Sequence, residues 1–202
     1  MPATEKDAQE RVASYITDML ALEVHIEQAI SGQIKDLDDE PAVVMELRTI
    51  HAMCESHIAA LEAMAEQRKV GGQGVAEVIK KAASSLLGMG AAGVDMLRAE
   101  KLPKNLRDDY TALNLACIGY VMLHTAAAAL GDEPVAQLAQ RHLEGHSRCV
   151  MTVHNMVPAA VMSFLKDEGH AVRTDRLAEI LQVTERVWQS ARGAGQLDHM
   201  PV

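Results

Sequence analysis

The feature that most constrains this fold is a three-and-four spacing of apolar residues that recurs along the chain. The first series has one acid among its members: Val12, Ile16, Met19, Glu23, Ile26 and Ile30. This spacing places side chains on one face of an α-helix. It predicts long helices over residues 7–31, 41–70, 73–100 and 104–130, a fifth that begins at 132–134, and a shorter one over 174–192. In the fourth helix the predicted stripe is Leu106, Tyr110, Leu113, Cys117, Val121, His124 and Ala128.

Two of these helices begin with the same Asp-Glu-Pro sequence, at residues 39–41 and 132–134. We expect the acids to cap the first turn, where proline is tolerated because early amides have no helical acceptor. Gly32 predicts the end of the first helix, and Pro158 predicts a kink or an end in the fifth. Helices one and two and helices four and five then form two hairpins, which the third helix joins as a crossover.

This order of helices predicts an all-α fold, a ferritin-like four-helix bundle with a long helical crossover and an additional C-terminal helix. We expect one domain over residues 1–202, with the core bundle at about 7–165 and the final helix at about 174–192. The 202 residues are 49% hydrophobic, which is enough apolar material for a single helical core.

Charge and hydropathy argue against several partners. The net charge of -9 argues against nucleic acid and anionic lipid as partners. The densest apolar run, Leu113 to Leu130, contains Asn114 and His124, so we expect no membrane span.

The three cysteines and the polar start of the chain indicate a cellular location. Cys54, Cys117 and Cys149 are odd in number and widely spaced, which favours free thiols in a reducing cytosol. Residues 1–10 are too polar for a signal peptide, so we expect a cytoplasmic protein.

Polar residues on or beside the apolar stripes are the candidates for chemistry. A buried charge is costly unless it is paired, hydrogen-bonded or bound to a metal. His142 and His146 are four residues apart and project from one helix face, as do His51 and Glu55. Because imidazole and carboxylate bind zinc, iron or copper, we expect a transition-metal site, with iron or zinc and no organic cofactor. Its candidate ligands are Glu23, His51, Glu55, His57, His124, His142 and His146.

Placing the two hairpin turns at opposite ends of the bundle predicts two levels of polar residues. Glu23, His51 and His146 would share one height, and His57, His124 and His142 another. The simpler interpretation gives each histidine its own backbone or water partner, and it is favoured for His57 and His124. Glu23 could likewise be a buried acid bonded to Tyr110, Tyr120 or a histidine.

Three stretches resemble a known family: residues 15–23, 55–62 and 119–131. They are similar to ferritin-like proteins, close to the bacterial stress-associated group typified by YciF and YciE. The resemblance implies a helical bundle and a role in stress response or iron handling. Ferritin-like di-iron proteins use a Glu on each of two helices and Glu-x-x-His on the other two. Glu23 fits one Glu, but Ile58 and Ser147 stand where Glu55 and Glu144 would need histidine, so this pattern is incomplete.

Three functions follow from these observations. The first is a metal-binding ferritin-like bundle. The second is a metal-free scaffold that acts through homodimerisation or protein partners, using the last helix and Trp188. The third is a hemerythrin-like di-iron oxygen carrier, suggested by His25, His51-x-x-x-Glu55 and His142-x-x-x-His146. The sequence leaves open whether the protein is an enzyme.

Overall fold

The computed structural model describes residues 4–37, 40–68 and 101–194. These residues form long helices and no strand, which confirms the all-α class. The helices are α1 (Glu5–Asp36), α2 (Pro41–Gln67), α3 (Lys101–Ala129), α4 (Glu133–Asp167) and α5 (Leu177–Ala194), with a 3-10 turn at Thr174–Arg176 before α5. The crossover helix predicted over 73–100 lies outside the described residues.

The first four helices pack as a bundle of two hairpins. α1 packs along α2 and α3 along α4, and the hairpins meet through α1 with α3 and α2 with α4. Aliphatic side chains fill the centre, among them the fully buried Ile16, Leu20, Leu47 and Leu123. Each such side chain stabilises the fold by about 1.5–3 kcal/mol through its removal from water.

Several predicted helix ends are wrong. α1 runs through Gly32 to Asp36, because Ile34 continues the apolar stripe and packs against the core. α4 runs through Pro158 to Asp167. The lost hydrogen bond at this proline is offset by packing on both sides, since Val157 contacts the core and Ala160 is buried.

The predicted acid caps are also wrong, because neither Glu40 nor Asp132 makes a side-chain cap. Asp132 instead accepts two hydrogen bonds from the Arg68 guanidinium, one of them 2.7 Å from Nη2 to Oδ1. This pair ties the end of α2 to the start of α4. The side-chain cap is at Thr4, which forms a capping box with Asp7.

The last helix packs against α4 on one side. The Trp188 ring meets the His154 ring edge-on, with 5.9 Å between the ring centroids. Ile180 and Val187 on the same helix remain exposed. α5 therefore packs on its own bundle and keeps an exposed apolar edge.

α3 is long and apolar enough to cross a membrane by length and composition. Seven of its 29 residues are buried in the bundle, and 28% of its most apolar 18-residue window is buried. The sequence was expected to contain no such segment. Asn114 and His124 interrupt the apolar run, but they do not lower its mean hydropathy enough, and the run contains no Asp, Glu, Lys or Arg.

Candidate metal centre

The centre of the bundle holds a fully buried carboxylate, that of Glu23 on α1. Its Oε1 atom accepts a hydrogen bond from the Tyr120 hydroxyl at 2.5 Å. The same oxygen lies 2.9 Å from His57 Nδ1 and 2.7 Å from His146 Nε2. Because these partners come from α3, α2 and α4, one oxygen atom is contacted by all three other helices of the bundle.

Glu23 is ionised at neutral pH despite its burial. Burial raises the pKa of this carboxyl, but the hydrogen bonds and charges of His146 and His57 outweigh that effect and lower the pKa to about 2. The bundle therefore holds a negative charge at a site without water contact. Such a charge needs compensation from hydrogen-bond donors or from a cation.

His142 extends this network away from the carboxylate. Its Nδ1 lies 2.9 Å from the Tyr120 oxygen, which already donates its proton to Glu23 and can therefore accept from the imidazole. The His142 ring stacks on His57, with centroids 3.8 Å apart and planes inclined by 7°. Burial lowers the pKa of His142 to about 3, so this ring is neutral at pH 7. A neutral imidazole is the form that binds a metal ion.

Two polar atoms of the centre are buried without a hydrogen-bond partner among the described residues. They are Glu23 Oε2 and His146 Nδ1. Buried polar atoms in folded proteins almost always have a partner, so each such atom requires an explanation. Ligand atoms of Glu23, His57 and His142 also lie within 4.8 Å of one another. A cation bound among these three residues would use a lone pair of Glu23 Oε2, which the described residues leave unpaired.

Gly145 allows the His57 ring to lie close to the backbone of α4. A Cβ atom on Gly145 of α4 would lie 3.0 Å from His57 Cε1 and 3.1 Å from Met53 Sδ. On its other side, Met53 Sδ lies 3.3 Å from Cys149 Sγ. Burial raises the pKa of the Cys149 thiol to about 11, which keeps it protonated.

Residues 7–166 match a protein family described as a domain of unknown function, DUF892. The chain belongs to the DUF892 family. A solved structure from Xanthomonas campestris pv. campestris has the same fold, with a TM-score of 0.65 and 17% identity over 81% of this chain and 99% of that one. No curated protein matches this chain.

In this DUF892 chain the structure brings together four of the predicted ligands, Glu23, His57, His142 and His146. The predicted two-level arrangement is wrong, because His57 and His142 lie at the height of Glu23. The alternative given for Glu23, a buried acid bonded to Tyr120 or a histidine, is confirmed by its bonds to Tyr120, His57 and His146.

The other three predicted ligands lie elsewhere. His51 is partly exposed, with Nε2 2.7 Å from Glu27 Oε1 and Nδ1 3.4 Å from Glu55 Oε2. His124 Nδ1 bonds to the Ala136 carbonyl at 2.9 Å, so the simpler interpretation holds for this residue.

Tyr120 was named as a possible partner of Glu23 but was left off the predicted buried stripe of this DUF892 helix, because that stripe was rotated. The residues of α3 that are buried are Leu106, Asp109, Leu113, Ala116, Tyr120, Leu123 and Ala127. This series keeps the three-and-four spacing but includes an acid and a phenol in place of Tyr110 and Val121. The alternating steps of three and four from Leu106 to Ala127 are shared by an exposed row of the same helix, so spacing gave no signal for Tyr120.

Proposed function

We propose that this protein binds a single transition-metal ion, iron or zinc, at the centre of its bundle. Glu23, His57 and His142 would supply the first ligands and His146 a further one. One observation carries the proposal. The ionised Glu23 carboxylate has a buried oxygen, Oε2, without a partner among the described residues, and ligand atoms of Glu23, His57 and His142 lie within 4.8 Å of one another. Carboxylate and imidazole ligands suit both metals.

The number of carboxylates favours one ion over two. Ferritin-like di-iron centres take a Glu from each of four helices. The cluster around Glu23 contains no second carboxylate among the described residues. The nearby Glu27 contacts His51 instead.

The biological setting of the proposal comes from the resemblance to the YciF and YciE group. A bundle that holds iron or zinc in a buried centre would suit a role in stress response or iron handling in the cytoplasm. Three free thiols, at Cys54, Cys117 and Cys149, are compatible with that compartment.

Metal analysis tests the proposal directly. The purified full chain would be stripped with a chelator, then reconstituted with Zn²⁺, Fe²⁺ or Co²⁺ and measured by mass spectrometry and visible absorption. We expect about one equivalent bound, and loss of that metal with retained helicity in Glu23→Gln and in His142→Ala. His124→Ala is the matched control, because its ring bonds to a backbone carbonyl. Absence of stoichiometric metal after reconstitution would overturn the proposal.

A second candidate function is a metal-free scaffold that works through partners. It is favoured by the exposed apolar edge of α5, where Val187 is 62% exposed. In that case Glu23→Gln would change stability alone. The hemerythrin-like alternative is disfavoured, because His51 contacts Glu27 and Glu55 and not the Glu23 cluster.

A further inference from the structure

The C-terminal end of α4, the connection that follows it and the start of α5 border a cavity of about 710 Å³. Six apolar side chains from these three segments line it: Pro158, Val161, Met162, Leu165, Val172 and Ile180. Val161 and Ile180 are 38% and 37% exposed. Exposed apolar side chains in a concave surface are typical of a ligand pocket, and pockets for small molecules have volumes of about 300–1,000 Å³.

A hydrogen-bonded turn at the end of α4 gives this cavity its shape. Gly169 has a φ of +85°, a conformation that glycine adopts readily. Its amide donates to the Lys166 carbonyl at 2.9 Å. The His170 amide donates to the Leu165 carbonyl at 3.0 Å, which completes a Schellman turn. Because this turn reverses the chain, residues 170–173 lie beside α4 and form one wall of the cavity.

The ionisable side chains that line the cavity are basic. Arg173, Arg176 and His170 line it, and no Asp or Glu does so among the described residues. This bias is opposite to the net charge of the chain, which is -9. A guanidinium group is not deprotonated in proteins, so the cavity always presents positive charge beside its apolar wall. It therefore suits a ligand with both an apolar body and an anionic group.

Both guanidinium groups keep donors for such a ligand. Arg173 Nη2 lies 3.1 Å from Asp175 Oδ2, and Arg176 Nη2 lies 2.8 Å from Glu179 Oε1. The Nε and Nη1 atoms of each arginine make no hydrogen bond with the described residues. Both side chains are exposed, so they can turn toward a head group without losing a buried contact. Arginine donors bind carboxylates through charge-assisted hydrogen bonds.

We propose that this cavity binds a free fatty acid, with its alkyl chain against α4 and its carboxylate at Arg173 and Arg176. The alkyl chain is stabilised by removal from water, and the carboxylate by charge-assisted hydrogen bonds. An anionic bilayer is a poorer ligand, because the net charge of -9 opposes its approach. The site is separate from the metal centre, since Pro158 lies about 18 Å along α4 from His146 at 1.5 Å per residue.

Isothermal titration calorimetry of the full chain with decanoate, below its micelle concentration, tests the site. We expect saturable binding of one decanoate per chain. Decan-1-ol has the same chain length without the charge and should bind about tenfold more weakly. Decyltrimethylammonium carries the opposite charge and should not displace decanoate.

Substitution of the two arginines tests the role of charge. Arg173→Gln and Arg176→Gln should each weaken decanoate binding about tenfold and leave decan-1-ol binding unchanged. Arg186→Gln is the matched control, because Arg186 is an exposed arginine of α5 that does not line the cavity. The double variant Arg173→Glu/Arg176→Glu should bind decyltrimethylammonium more tightly than decanoate. Damage to the fold cannot produce this reversal.

The absence of saturable decanoate binding would overturn the proposal. So would equal affinity for decanoate and decan-1-ol, or decanoate binding that is unchanged in the double variant. Binding to phosphatidylglycerol vesicles without binding of free decanoate would identify a membrane surface and would also overturn it. Metal content should be the same with and without decanoate, so a failure here leaves the metal proposal standing.

Discussion

Replacing Asp109 by asparagine is expected to stabilise the folded protein at and above neutral pH. Asp109 is 4% exposed, and its Oδ1 accepts a hydrogen bond of 2.7 Å from Gln33 Nε2. Its Oδ2 and Gln33 Oε1 are both buried without a partner among the described residues. A protonated carboxyl carries a donor and no buried charge, and an asparagine amide is an uncharged donor at every pH.

The magnitude follows from the pKa of Asp109. Burial raises this pKa from 3.8 to about 7, against the lowering effect of the Gln33 hydrogen bond. The folded state keeps a proton that the unfolded state loses between pH 4 and 7, so the free energy of unfolding falls as pH rises through that window. A shift of about three units corresponds to about 4 kcal/mol. We therefore expect Asp109→Asn to gain about 1.4 kcal/mol over the natural chain per pH unit within the window.

Urea unfolding followed by circular dichroism at pH 5, 6, 7 and 8 measures this difference. Asp36→Asn is the control, because this exposed carboxylate pairs with Lys101 at the surface and should change the free energy of unfolding by less than about 0.5 kcal/mol. The reasoning is refuted if Asp109→Asn destabilises the protein at pH 8, or if its advantage does not grow between pH 5 and 7.

Two further substitutions, with one control, test the packing around Glu23 and His57. Gly145→Ala places a Cβ against His57 and should cost about 1–3 kcal/mol in thermal unfolding. Gly32→Ala, in open space within α1, should stabilise by roughly 0.5–1 kcal/mol, and equal effects at both glycines would refute the close approach. Tyr120→Phe removes the donor to Glu23 and the acceptor for His142, and should cost about 1–3 kcal/mol in urea unfolding. An unchanged unfolding midpoint would show that this bond contributes nothing.

The helices could be predicted from the sequence because their apolar periodicity is long and regular. The ends were harder to predict. Gly32 and Pro158 are helix breakers by local propensity, yet α1 and α4 continue through them where Ile34 and Ala160 meet the core. Packing of a whole helix face outweighs a local preference of about 1–3 kcal/mol.

The candidate site could be predicted in part. Glu23, His142 and His146 stand in stripes that proved to be buried, and an acid or a histidine in such a stripe is visible in the sequence. The contact of His57 with Glu23 depends on how α2 is rotated against α1 and α4. A rotation by one residue turns a side chain by about 100°, which spacing alone does not fix.

α3 shows most clearly why spacing could not settle which face is inside. Its buried row and an exposed row both repeat every three or four residues, and the exposed row is the more apolar of the two at its centre, with Ile118 and Met122. The buried row carries Asp109 and Tyr120 instead. These polar residues are buried because Gln33 and Glu23 on α1 form hydrogen bonds with them. No pattern within α3 reveals these partners. The hydrogen bonds from Gln33 to Asp109 and from Tyr120 to Glu23 therefore decide the rotation of α3, although this rotation leaves Ile118 and Met122 exposed.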